Sequence, residues 1–192
     1  MTPAIDPALV NRATQRDPEA TATLLTQVHP GVVRYCRARL GRIGGAYTTA
    51  DDLAQEVCLA VLRALPNYRD QGRPFSAFLY AIAANKVADA QRAAIRGGTV
   101  PATDALLDHP DAAPSPEQQA VATDLARRLS ALLARLPDTQ REIILLRVAV
   151  GLSAEEVGAV VGMSAPAVRV AQSRALARLR TLAGDTLDEV AA

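Results

Sequence analysis

The stretch "SAEEVGAVVGMSAPAVRVAQSRALARLR", residues 153–180, reads as two helices joined by a tight turn. Ser153 and Glu156 have the S-x-x-E spacing of a capping box, in which a hydroxyl and a carboxylate each accept a backbone N–H at the helix start. Val157, Val160 and Val161 then face inward, and Gly162 supplies the open backbone conformation that a turn requires. Ser164 is placed to cap a second helix, where Pro166 is harmless in the first turn. Together these residues carry the signature of a helix-turn-helix.

At about 100° per residue, Arg169, Ser173 and Arg180 fall on one stripe of the second helix, opposite Val168, Ala175 and Leu179. The second helix of such a motif enters the major groove with its early residues near base edges. Arg169, Gln172 and Ser173 are therefore candidates for base or phosphate contact, and Arg174 and Arg178 for phosphate. A lone arginine is ordinarily solvated surface. Here Arg169, Arg174, Arg178 and Arg180 occur with no acid between Ala165 and Gly184, which shifts the balance toward DNA.

Upstream, Leu125, Leu129, Leu132 and Leu136 predict an amphipathic helix ending at Pro137, and Ile143, Ile144 and Leu146 another ending near Gly151. The segment "GGTVPATDALLDHPDAAPSPE", residues 97–117, has four prolines, no aromatic and no basic residue. It reads as a flexible acidic linker. In the first half, Asp17, Pro18 and Glu19 open a helix that carries Leu24, Leu25, Val28, Val32, Cys36 and Leu40, with a kink or break expected at His29-Pro30-Gly31. Thr49 and Asp52 are spaced as a capping box for a helix with Leu53, Val57, Val61, Leu62 and Leu65 on one side, ended by Pro66. Helical spacing throughout, with Ala, Leu and Val dominating an apolar content of 49%, predicts an all-α protein.

The six aromatics are unevenly spread, and Tyr68, Phe75, Phe78 and Tyr80 gather in "YRDQGRPFSAFLYAIAANKVADAQR", residues 68–92. On a helix from Pro74 to about Arg96, Leu79, Ala83, Val87 and Ala90 form a core side, while Phe78, Asn85, Asp89, Arg92 and Arg96 form another. A ring among polar and cationic groups suits an unstacked base held by arginines. The alternative is that Phe75, Phe78 and Tyr80 plug a helix junction.

The formal net charge of +1 offers no strong long-range field, so local basic clusters have to supply any attraction for phosphate. Cys36 and Cys58, with two histidines and no CxxC pair, predict no metal site and no disulfide framework. No stretch approaches the roughly 20 apolar residues that span a bilayer, and the opening residues lack a signal-peptide core. A cytoplasmic location without membrane insertion is expected. Neither paired catalytic carboxylates nor a Gly-rich phosphate loop nor a nucleophile beside a base is present, so no enzyme and no cofactor is expected.

The run "ADDLAQEVCLAVLRALPNYRDQGRPFSAFLYAIAANKVADAQR", residues 50–92, resembles region 2 of extracytoplasmic-function (ECF) sigma factors, a subfamily of the sigma-70 family. The resemblance rests on D-x-x-Q-E at Asp52, Gln55 and Glu56, and on N-x-x-x-D-x-x-R at Asn85, Asp89 and Arg92. "LPDTQREIILLRVAVGLSAEEVGAVVGMSAPAVRVAQSRALARLR", residues 136–180, resembles their region 4, and the two together look most like the actinobacterial sigma-D type. What this implies is two small helical domains, a region 2 bundle over 1–96 and a four-helix region 4 domain over 118–192, with the helix-turn-helix at about 153–180 and the linker at 97–117.

The implied function is that of an alternative bacterial sigma factor that binds core RNA polymerase and directs promoter recognition and melting. Its partners would be the polymerase core, through the β′ coiled coil and the β flap, promoter DNA, and an anti-sigma protein; the free chain would be a monomer. By this resemblance Asp51, Asp52, Gln55 and Glu56 meet the polymerase. Asn67, Tyr68, Arg73, Phe78, Asn85, Lys86, Asp89, Arg92 and Arg96 meet the melted minus-ten element. Ser164, Arg169, Gln172, Ser173, Arg174 and Arg178 meet the minus-thirty-five duplex. Two departures stand out: family members usually carry tryptophan where Phe78 stands, and a common T-V-K-S-R run is Ala167-Val168-Arg169-Val170-Ala171 here, leaving fewer polar groups to read bases. The rival reading is a helix-turn-helix regulator of duplex operators that needs no polymerase. It leaves the aromatic cluster and the Asp52-Gln55-Glu56 face without a purpose.

Overall fold

Asp6 opens the first helix, its carboxylate accepting the Ala8 N–H at 2.9 Å ahead of α1 (Pro7–Thr14). The computed structural model describes residues 5–40, 42–43, 50–96, 101–102, 125 and 128–191. Asp17 repeats the device for α2 (Pro18–Leu40), taking the N–H groups of Glu19 and Ala20 at 3.0 and 3.1 Å. Of the kink or break expected at His29-Pro30-Gly31, the break does not occur, and α2 runs through Pro30. Pro30 removes one donor from the ladder, whereas Gly31 serves packing: a β-carbon there would lie 2.8 Å from the Tyr80 hydroxyl.

Next come α3 (Ala50–Ala64), a 3-10 turn (Leu65–Asn67) holding Pro66, and α4 (Phe75–Arg96). Thr49, the expected cap of α3, lies outside the described residues. Leu53, Val57, Val61 and Leu65 are buried as expected, but Leu62 is 40% exposed, and Ala54 is buried beside Leu53. Each fully buried leucine or valine contributes roughly 1.5–3 kcal/mol.

Residues 128–134 form α5, followed by α6 (Asp138–Ile144). The chain then widens into a π-helical turn (Leu145–Val150) that Gly151 closes with φ 87°. Last come α7 (Ala154–Val161) and α8 (Ala165–Ala191). Leu136 is buried as expected, whereas Leu125 and Leu129, expected on the same inward face, are 58% and 40% exposed and Leu133 is buried. Among the described residues the only strands form a two-residue antiparallel ladder, β1 (Arg42–Ile43) with β2 (Pro101–Ala102). Apart from Pro101 and Ala102, the linker expected at 97–117 lies outside the described residues.

The two helical groups are not separate bodies in this conformation. Ile143, Leu146, Val150, Leu152, Ala154, Val157 and Val168 join one continuous core with Leu24, Val32, Leu53, Leu79 and Val87. A smaller cluster of Leu133, Leu136, Ile144, Leu145 and Ala175 holds α5, α6 and α8 together.

Candidate nucleic-acid interface

Where α3 turns into α4, the aromatics divide. Tyr68 lies 4.9 Å from Phe78 and 5.4 Å from Phe75, with Phe75 and Phe78 5.6 Å apart, so three rings pack mutually at the start of α4. Tyr80 points the other way, 3% exposed and edge-on to Tyr35 at 5.4 Å, and belongs to the core. Phe75 is also buried, whereas Tyr68 and Phe78 are half-buried with one side to solvent. Burial, and then the Asp70 carboxylate, push the Tyr68 phenol above its ordinary range.

The loop before α4 is fixed by its own short-range bonds. Asp70 accepts the Gly72 N–H at 2.8 Å, and Gly72 takes φ 74°. Arg69 donates to the Tyr68 carbonyl at 3.1 Å. Asn67 is exposed, while Arg73 reaches across to donate to the Ala159 carbonyl on α7.

Along α4, Asn85, Asp89, Arg92 and Arg96 are exposed on one face, with Arg92 paired to Asp89 at 2.5 Å. Lys86 stands at its margin and pairs with Glu56 on α3 at 3.4 Å. That contact joins the expected DNA face to the expected polymerase face, where Asp51, Asp52, Gln55 and Glu56 are all exposed. Asp51 is tied to Arg37 of α2 at 3.1 Å.

In the second group the capping box is formed in both directions. The Ser153 hydroxyl accepts the Glu156 N–H at 3.1 Å, and the Glu156 carboxylate accepts the Ser153 N–H at 2.9 Å. Gly162 turns the chain with φ 73°, and the Ser164 hydroxyl accepts the Ala167 N–H at 3.4 Å to start α8. A second glycine, which sequence reading passed over, matters as much: a β-carbon on Gly158 would strike the backbone carbonyl of Met163. Its trace in the sequence was the G-x-x-x-G spacing with Gly162.

Arg169, Ser173, Arg174, Arg178 and Arg180 are exposed on α8, and Val168 and Ala175 are buried. Arg169 pairs with Glu155 at 2.6 Å. Gln172 lies apart from this stripe. It is half-buried between Val168 and Ala175, and its Oε1 accepts from the Arg147 guanidinium at 3.0 Å. Four residues separate Val168 from Gln172 and three separate Gln172 from Ala175, spacings that place all three on the core-facing side. Among the described residues no group of three or more His, Cys, Asp or Glu stands where it could hold a metal, and no helix is long and apolar enough to cross a membrane.

Two helical domains, one with an aromatic and cationic helix and one with a capped helix-turn-helix, define a DNA-binding protein. Residues 24–96 match the Sigma-70 region 2 family, and residues 126–179 match Sigma-70, region 4. The chain is 56% identical over 179 residues to the ECF RNA polymerase sigma factor ShbA of Streptomyces griseus, covering 92% of this chain and 94% of that one. It is 54% identical over 173 residues to the ECF RNA polymerase sigma factor SigD of Mycobacterium tuberculosis, covering 90% and 81%. The solved structure of CnrH in complex with the cytosolic domain of CnrY superimposes with a TM-score of 0.65 at 26% identity, covering 93% of this chain and 96% of that one. The chain belongs to the ECF RNA polymerase sigma factors. It is an alternative sigma factor that directs transcription initiation.

Proposed function

We propose that the two domains divide promoter recognition between an opened strand and an intact duplex. The first domain captures bases of the melted minus-ten element. Tyr68 and Phe78 offer ring faces, Asn67 and Asn85 polar contacts, and Arg73, Lys86, Arg92 and Arg96 the charge that holds the backbone, with Asp89 orienting Arg92. Stacking on an aromatic ring is worth roughly 1–3 kcal/mol per base, which offsets the cost of unpairing. The second domain seats α8 in the major groove at the minus-thirty-five element through Ser164, Arg169, Ser173, Arg174 and Arg178. With Gln172 turned inward and Val170 50% exposed, this contact is weighted toward phosphates and shape over base edges.

Asp51, Asp52, Gln55 and Glu56 form an acidic helical face for the polymerase core, which supplies the catalysis; this chain carries out no covalent step. An anti-sigma protein is a further partner on this reading, since CnrH was solved with the cytosolic domain of CnrY. The chain works in the cytoplasm, where chromosome and polymerase are. The observation that carries the proposal is the half-buried Tyr68–Phe78 pair beside the exposed Asn85 and Arg92, in one chain with a fully capped helix-turn-helix. Gel filtration with purified core polymerase, followed by runoff transcription on genomic fragments, tests it. A stable complex with start-site selectivity is expected, and a chain that binds duplex DNA but ignores polymerase would favour the operator-binding regulator.

A further inference from the structure

One of the two departures from the common recognition run puts Val170 where serine is usual. The structure sets that side chain on the outermost line of α8. At about 100° per residue, Val168, Gln172 and Leu179 lie roughly 160–180° around the helix from it. Val168 is buried and Gln172 is held by Arg147, so that opposite side is the packed one. Val170 is 50% exposed, and among the described side chains of α8 no other large hydrophobic group is so open.

Its neighbours make a pattern that separate arginines do not. Pro166, Ser173 and Ala177 lie within roughly 60° of Val170 and are exposed, giving a narrow strip that is mostly apolar. Arg174 and Arg178 run along one side of the strip, roughly 40° and 80° away, and Arg169 and Arg180 along the other at roughly 80–100°. All four arginines are exposed, Arg169 being paired with Glu155 in the free chain. A helix with cations on both flanks fits between two phosphate backbones, and its apex then meets the floor of the major groove. The apolar group that a base pair presents there is the C5 methyl of thymine, among edges that otherwise carry nitrogen and oxygen donors and acceptors.

We infer that Val170 is a specificity-determining residue that reads a thymine methyl group in the minus-thirty-five element, while the two arginine rows hold the strands beside it. This rests on the duplex reading above. Contact between the valine and the methyl removes apolar surface of both from water. Against guanine, adenine or cytosine the same side chain would cover a donor or acceptor and give it no partner, which costs affinity. Selection therefore has an attractive and a repulsive side. The branched side chain also has little rotamer freedom to lose on contact. A methyl group on cytosine offers the same contact, which provides a gain-of-binding arm for the test.

Duplexes enriched from a random-sequence pool, by the full chain with core polymerase and by the full chain alone, supply the probe. Each thymine is then replaced singly by deoxyuridine, which removes the methyl and leaves every hydrogen bond. Wild type should lose roughly fourfold in affinity at one position, the worth of one buried methyl group, and little at the others. Val170→Ser should bind the thymine and deoxyuridine duplexes equally, with an unchanged melting temperature because the position is exposed, and Val170→Ile should restore the difference. With cytosine at that position, methylating its C5 should strengthen wild-type binding and leave Val170→Ser binding as it was. Arg174→Ala, by contrast, should weaken both duplexes alike and flatten the salt dependence by about one unit. A wild-type chain indifferent to deoxyuridine at every position, or a Val170→Ser variant that keeps the preference, overturns the inference. A chain that shows the methyl effect alone but ignores core polymerase sinks the sigma-type reading and leaves Val170 reading thymine, whereas a chain that enriches no duplex in either form sinks both.

Discussion

The Arg169 guanidinium lies 2.6 Å from the Glu155 carboxylate, so the first exposed arginine of α8 is held by an acid at the start of α7. Glu155 is kept below the ordinary carboxylate range first by its own backbone N–H in the opening turn of α7 and then by Arg169. Both side chains are more than half exposed, so the pair does little for folding. Its effect falls on DNA binding, since a phosphate has to displace the carboxylate to reach Arg169. Glu155→Gln should leave the melting temperature unchanged and strengthen duplex binding. The plot of log affinity against log salt should steepen by roughly one unit as one further phosphate is neutralised. Titrations of a minus-thirty-five duplex at several salt concentrations measure both.

The turn between α7 and α8 rests on two glycines for different reasons. Gly162 adopts φ 73°, with open space where a side chain would point, so Gly162→Ala costs only backbone strain, about 1 kcal/mol. Gly158 has ordinary helical geometry, but a methyl group there would meet the Met163 carbonyl, which is backbone and cannot swing aside. Gly158→Ala has to push α8 off α7 and should cost more, about 2–3 kcal/mol in the range of overpacked cores. Urea denaturation of both variants gives the order, and Gly158→Ala should also weaken duplex binding because the recognition helix shifts.

Such contrasts show which parts of the fold were legible in sequence. Local chemistry was: the Ser153–Glu156 box, the Asp17 cap, the Gly162 turn and the helix starting after Pro74 all follow from residues within four positions of each other. Contacts made at a distance were not. Pro30 looked like a breaker, yet the neighbouring Gly31 is there to let Tyr80 and Val150 approach. Leu62 and Leu129 fit a helical stripe but are each 40% exposed. The Tyr35–Glu142 hydrogen bond joins residues 107 positions apart, and local spacing singles out neither of them. Periodicity places Asn85 and Arg92 on an exposed face and Gln172 near the core-facing side, whereas the Arg147 that donates to Gln172 lies 25 positions away.

Base capture and packing make different demands on Asn85 and Phe78. Asn85 is exposed, so Asn85→Ala should leave stability intact while removing contacts worth about 0.5–1.5 kcal/mol each. Open-complex formation on a duplex promoter should fall about threefold to tenfold, and far less on a template with a pre-melted bubble. Phe78 also packs on Tyr68 and Phe75, so Phe78→Ala should lower both the melting temperature and open-complex yield. Phe78→Trp should keep the packing and strengthen capture, because indole offers a larger stacking face. Permanganate footprinting on duplex and bubble templates separates these outcomes; an equal loss on both for Asn85→Ala would mean that it binds DNA without opening it.

Cys36 ties acid–base chemistry to the core. It is fully buried between α2 and α3, and burial first, then the neighbouring Cys58 and Asp51, push its thiol up to about 12 from an ordinary 9.0. For a group that stays neutral in the fold and ionises more easily once unfolded, the stabilisation is complete below the unfolded value. It is lost as pH rises toward the folded one. Stability should therefore hold to about pH 9 and decline toward pH 12, and Cys36→Ala should flatten the first part of that decline. Tyr35 and Tyr80, whose phenols burial also raises well above 10.0, continue the loss at higher pH. At neutral pH the thiol is protonated and sealed in the core, so a disulfide reagent should reach Cys36 only at the rate of unfolding, while the half-buried Cys58 reacts first. Reaction rates followed across a urea titration check this; rapid labelling of Cys36 in the native chain would show that α2 and α3 part more readily than their shared core allows.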